Sequence, residues 1–176
     1  MTVLPRPVHI VLPERSHVAH LAHDDDWTRA ALNSAIEETR ARINATPLDW
    51  AEHEILACQL VGLSAHRMHQ LRGYEARGAL AEAEKSVATA RRIVETIGAG
   101  IGSADVLGRL TVIRAVVQLN ASVLFFQTGN AAPGQQFLGY ASDTLSSTTP
   151  NGYSEQLYAT TAAAISALRE ASANLS

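Results

Sequence analysis

The 176-residue sequence predicts an all-α protein, an up-and-down antiparallel bundle of five to six helices with an extended N-terminal arm. Three observations carry that expectation. Aromatic residues make up only 5% of the chain while alanine recurs throughout, and alanine enters a helix without losing side-chain entropy. Apolar residues return at alternating steps of three and four, the repeat of a helix with one buried face. Glycines and prolines fall mostly between these periodic stretches, and short turns between long helices make neighbours antiparallel.

Residues 1–12 form the arm. Pro5 and Pro7 precede Val8-His9-Ile10-Val11, so no stable helix forms there and the string is extended. Such an arm lies across its own bundle or reaches a neighbouring molecule. A single helical-bundle domain is expected over 13–176. It opens with a short helix over 13–23, because Pro13 suits a first helical turn and Glu14 suits the positive end of the helix dipole. Asp24-Asp25-Asp26 then caps a helix over 27–44, with Leu32, Ala35, Ile36 and Ile43 on one face. Thr46-Pro47-Leu48-Asp49 has the form of a capping box, opening a helix that reaches Arg72 and stops at Gly73. Between Ile55 and Leu63 that helix is apolar nearly all round, which requires neighbours over most of its circumference.

The next helix, 75–97, carries a narrow seam of Ala76, Leu80, Ala83, Val87, Ala90, Val94 and Ile97. Gly98-Ala99-Gly100-Ile101-Gly102-Ser103 follows a helix instead of a strand and lacks a following Lys-Ser/Thr. It is therefore a helix C-cap followed by a Ser103 N-cap, not a phosphate-cradling loop. A helix over 104–128 has two apolar stripes and a thin polar strip around Arg114, Gln118 and Ser122, which makes it the second central helix. A Gly- and Pro-rich turn leads to helices over 135–145 and 154–173, the last with Leu157, Thr161, Ile165 and Leu168 inward. Phe125, Gly129, Asn130 and Ala141 resemble the turn of a tetratricopeptide hairpin. The other hairpins do not repeat that pattern at a period of about 34 residues, and their helices are too long for it.

Composition narrows the function classes. Hydrophobic residues reach 47% and charged residues only 18%, too apolar for a disordered chain and poor in charge for an open surface, so some surface is expected to be covered. The net charge of −3 and the lack of clustered Lys and Arg argue against nucleic acid and anionic membranes as partners. The single cysteine, Cys58, sits in an apolar run and is expected to be a buried, inert thiol. With no possible intrachain disulfide, no secretory signal and no run of about 18 apolar residues, the protein is expected to be cytoplasmic.

Histidine is the one chemically loaded residue type. His17, His20 and His23 form one group and His66 and His69 another, each spaced to share a helix face. His17, His20, His66 and His69 are the candidate metal ligands, since catalytic zinc or iron sites take three protein ligands with one open position. Glu14-x-x-His17 resembles one step of a ferritin-like di-iron site, but Leu63 stands where His66 would need its glutamate. Neither a His-Glu-x-x-His string nor a nucleophile elbow is present. Glu52, Glu54 and Asp49 are accounted for by the helix dipole. Arg91, Arg92 and Arg109 are candidate anion contacts, while Arg114, beside Gln118 and Asn120 in an apolar helix, must pair or reach water.

Two function classes follow. The first is a non-catalytic helical interaction or small-ligand-binding module, expected to be a homodimer because residues 99–176 carry so little charge. The alternative is a small metal- or haem-dependent enzyme built on the histidines, with its cofactor unspecified.

Overall fold

A computed structural model describes residues 3–10, 25–100, 102–152 and 154–173. Those residues form six helices: α1 (Asp25–Ala45), α2 (Trp50–His69), α3 (Gly73–Ile97), α4 (Ser103–Gln127), α5 (Ala131–Ser146) and α6 (Glu155–Ala173). There is no strand among the described residues, and the fold is all-α, consistent with a bundle of five to six helices. The helix expected over 13–23 lies outside the described residues. By their contacts the described residues fall into two compact units: His9–Ala99, holding the end of the arm and α1 to α3, and Met1–Val8 with Gly100–Ser176, holding the start of the arm and α4 to α6.

In the first unit α2 packs on both α1 and α3. The apolar run predicted its central place, and Ile55, Leu56, Ala57, Cys58, Leu60, Val61, Leu63 and Met68 are all buried. Its ends differ from expectation. Asp49, not Thr46, is the N-cap, its carboxylate accepting the Ala51 N–H at 3.0 Å. The Thr46 hydroxyl instead donates to the Arg42 carbonyl at 3.0 Å, so it serves the last turn of α1 and leaves the next helix to Asp49. At the other end α2 stops at His69, and Gly73, expected to terminate it, is the first residue of α3. The chain reverses through Leu71, whose φ of 59° is left-handed. That conformation costs a residue with a β-carbon about 1–2 kcal/mol, which is why the sequence pointed to the glycine.

Helix α3 buries Ala76, Leu80, Ala83, Val87, Ala90 and Val94 as expected, and the seam is wider by Ala79, Ser86 and Ile93. Ser86 can be buried because its hydroxyl donates to the Glu82 carbonyl at 3.1 Å. Ile97 departs from the seam and is exposed, since the helix ends there and the Gly98 N–H closes the last turn on Val94. Gly98, Gly100 and Gly102 all have positive φ, conformations that glycine adopts at little cost. Gly102 takes the cap position of α4 that Ser103 was expected to hold, and the Ser103 hydroxyl donates to the Gly100 carbonyl at 3.1 Å.

In the second unit α4 packs on α5 and α6, burying residues of both predicted stripes, among them Leu110, Ile113, Val116, Leu119 and Phe126. It lacks an unbroken apolar run, yet one 18-residue window has a mean hydropathy of 1.4, enough by length and composition to cross a membrane. Of that window 72% is buried, the behaviour of a core helix. Arg114 is exposed at its edge, so it reaches water. Helix α5 begins at Ala131 instead of Gln135, because Pro133 falls in the first turn, where a missing N–H breaks no helical bond. The Ser122 hydroxyl donates to the Gly134 carbonyl at 2.7 Å, joining α4 to α5. In α6, Thr161, Ile165 and Leu168 are buried as expected, while Leu157 is only half-buried.

The arm lies along its own chain. The Val8 N–H donates to Asn120 Oδ1 at 2.8 Å, and Asn120 Nδ2 donates to the Val8 carbonyl at 2.9 Å. Asn120 is fully buried in α4 and the Val8 side chain is buried with it.

Candidate functional site

The first unit carries a groove of about 760 Å³. Helix α2 supplies the floor with Leu56 and His53; α1 supplies one wall with Arg40, Ile43 and Asn44; α3 supplies the other with Ala81, Glu82, Lys85, Ser86 and Thr89. It exists because α2 packs on both outer helices, leaving a channel over its surface. The walls are tied by an ion pair: Arg40 donates through Nε at 3.2 Å and Nη2 at 2.5 Å to Glu82 Oε1, and through Nη1 at 2.5 Å to Glu37 Oε1. The hydrogen bonds to Glu82 hold the guanidinium pKa above its ordinary value; partial burial opposes this, and the bond to Glu37 adds to it. An exposed pair of this kind is worth up to about 1 kcal/mol, so its role is to fix the rim more than to stabilise the fold.

His53 lies 3.0 Å through Nε2 from the Pro47 carbonyl. A carbonyl only accepts, so Nε2 carries the proton and Nδ1 is an acceptor in the neutral ring. The groove thus offers apolar surface from Leu56, Ile43 and Ala81, hydroxyls from Ser86 and Thr89, and a cation from Lys85. Such a surface suits an amphipathic small molecule with an acceptor or anionic end.

Of the four candidate metal ligands, the described residues include His66 and His69. His17 and His20 lie outside the described residues, as do His23 and Glu14. His66 is buried near the end of α2, whereas His69, one turn on, is exposed. Among the described residues no three or more His, Cys, Asp or Glu side chains gather as a metal would require. The neighbour that His66 does have is His9 of the arm. Although His9 keeps contact with solvent, desolvation pushes its imidazole pKa below the ordinary value, and the charge of His66 acts in the same direction.

Sequence reasoning missed a buried polar stripe along α2 and its C-cap, Gln70. Gln59 Oε1, His66 Nε2 and Gln70 Oε1 are buried with no hydrogen-bond partner among the described residues, and their spacing of seven and four sets them along one side of the helix. Each such atom costs about 1–3 kcal/mol. The available signal was Gln59 interrupting an otherwise apolar run. Helix-dipole placement is also only part of the account of Glu52 and Glu54: both are buried, and Glu52 accepts from Arg42 Nε at 2.9 Å. Cys58 is buried as expected. Of the candidate anion contacts, Arg91 pairs with Glu95 at 2.7 Å.

Comparisons with family models, curated proteins and solved structures found no match to this chain.

Proposed function

We propose that the chain is a non-catalytic helical module that binds a small amphipathic ligand in the α1–α2–α3 groove and associates as a homodimer. The observation that carries the binding role is the groove itself, with an apolar floor, a polar rim and walls tied by Arg40 and Glu82. Pockets of this composition hold ligands by burying their apolar part while a few polar groups fix orientation. Self-association is supported by the scarcity of charge after residue 99 and by the exposed small residues Ala159, Ala163 and Ser166 on α6, which would let a second helix approach closely. The expected setting is the cytoplasm, with neither nucleic acid nor membrane as partner, because the sequence holds no cationic cluster to attract them.

The test uses anilinonaphthalene sulfonate, whose rings suit the floor and whose sulfonate suits Lys85. Saturable fluorescence enhancement by the folded protein is expected. Ala81→Trp, at an exposed wall position, should abolish it while circular dichroism and thermal midpoint stay near wild type. Undiminished dye binding in that variant would remove the groove as the site. Light scattering coupled to size exclusion reads the dimer directly, and a monomeric wild type would end that half of the proposal.

A further inference from the structure

We propose that the ligand of the α1–α2–α3 groove is an alkyl carboxylate that carries a hydroxyl group near its acid end; this rests on the binding role given to the groove above. The polar atoms of the lining differ in what they have left to offer. Every nitrogen of the Arg40 guanidinium is engaged, Nε and Nη2 by Glu82 and Nη1 by Glu37, so that cation is matched within the rim. Lys85 lines the same groove and forms no ion pair among the described residues. One positive charge is therefore open to a ligand. A single carboxylate matches it, whereas a phosphate monoester would bring about 1.5 to 2 negative charges.

The hydroxyls of the wall act as acceptors. Ser86 donates its proton to the Glu82 carbonyl at 3.1 Å, and Thr89 donates its proton to the Lys85 carbonyl at 2.9 Å, so each oxygen keeps lone pairs and has no hydrogen left to give. His53 adds a third acceptor through Nδ1, because its Nε2 proton goes to the Pro47 carbonyl. A simple carboxylate only accepts; it would satisfy Lys85 and leave these acceptors without a donor. A hydroxyl beside the carboxylate supplies one. Asn44, exposed at the rim, offers both a donor and an acceptor and selects neither. Lys85 and Thr89 stand one turn apart on α3, and Ser86 lies three residues before Thr89, so the charge and two of the acceptors share one wall. Ala81, one turn before Lys85, joins Ile43 and Leu56 in giving the alkyl chain its apolar surface.

Isothermal titration calorimetry of the full-length protein with decanol, decanoate and β-hydroxydecanoate tests this. Affinity should rise in that order by roughly three- to tenfold at each step, the scale of one net hydrogen bond or one charge-assisted contact, and decyltrimethylammonium should bind more weakly than decanol. Lys85→Met keeps the apolar stem and removes the charge, so decanoate should bind it no more tightly than decanol. Ser86→Ala/Thr89→Val removes two acceptors; it should shrink the preference for the hydroxyl and leave the preference for the carboxylate. Circular dichroism checks that the variants fold, and the wild-type series stands without them. Where anilinonaphthalene sulfonate binds, equal affinities across the series, no binding of any member, or tighter binding of decyl phosphate than of β-hydroxydecanoate would overturn the ligand class and leave the groove as a binding site. A hydroxyl preference unchanged in the double variant would overturn the role of Ser86 and Thr89. Absence of both dye and alkyl binding would overturn the ligand class and the binding role together.

Discussion

Gly134 meets the ring of Phe126 so closely that a β-carbon added to it would lie 3.1 Å from ring carbons. The ring belongs to a buried residue of α4, so it has little room to move. Gly134→Ala is therefore expected to destabilise by about 1–3 kcal/mol through overpacking, even though alanine is the better helix former by about 1 kcal/mol. Gly139 lies on the same helix, and a β-carbon added there would meet nothing within 4 Å. It is the control: Gly139→Ala should stabilise by up to about 1 kcal/mol. Urea titration of both variants checks this, and equal effects would mean that α4 and α5 do not approach at Gly134.

Leu71 gives a prediction of opposite sign. Its side chain is 89% exposed, so little packing is lost when it is replaced, and its left-handed backbone is relieved by a residue that tolerates positive φ. Leu71→Asn or Leu71→Gly should raise stability by up to about 1 kcal/mol. A fall in the thermal midpoint of both variants would place the reversal elsewhere.

On α3 the buried seam can be set against the groove wall. Val87 is 2% exposed while Lys85 is exposed. Val87→Asp should destabilise by several kcal/mol, because the carboxylate has no partner there, whereas Lys85→Asp should change stability little. Chemical denaturation of the two variants reads the difference.

His9 predicts a pH dependence. Its folded pKa lies below the ordinary 6.5, so the unfolded chain binds the proton more readily and stability rises with pH across that region. The contribution is complete above about pH 6.5 and is lost as pH falls through the lower, folded value. His9→Gln should flatten the dependence of the denaturation midpoint between about pH 7 and pH 5, and an unchanged slope would assign the dependence to other groups.

For the metal alternative, protein prepared without a histidine tag is assayed for bound metal. If the protein holds one through His66 and His69, the His66→Ala/His69→Ala variant should lose it while keeping its helical spectrum. Metal retained in that variant would exclude both residues as required ligands.

The long helices were legible because their signal is local. The run from Ile55 to Leu63 and the double stripe of α4 state their own enclosure, whatever their neighbours are. Boundaries were less so, since Thr46 and Asp49 are both capping residue types and the spacing to Pro47 favoured the threonine, whereas its hydroxyl is taken by the last turn of α1. Leu71 could not be foreseen at all: a strained conformation is held by what surrounds it, and local preference argues against it. The groove escaped for a different reason. Its lining comes from three helices, and no spacing within one helix reveals that Arg40 and Glu82, 42 residues apart, span a channel. At the histidines the spacing sets His66 and His69 on adjoining parts of one helix face, and it says nothing of the burial that leaves His66 covered and His69 exposed.

The enclosure of α2 and α4 has a consequence for how the molecule breathes. A helix covered on most sides cannot expose its amides by fraying outward; its neighbours must first come away. Backbone amides near Leu60 and Leu119, each 1% exposed, should then exchange with solvent only through opening of the whole unit around them. The turns at Leu71 and Gly100 should exchange through small local fluctuations instead, giving two slow cooperative blocks punctuated by fast positions.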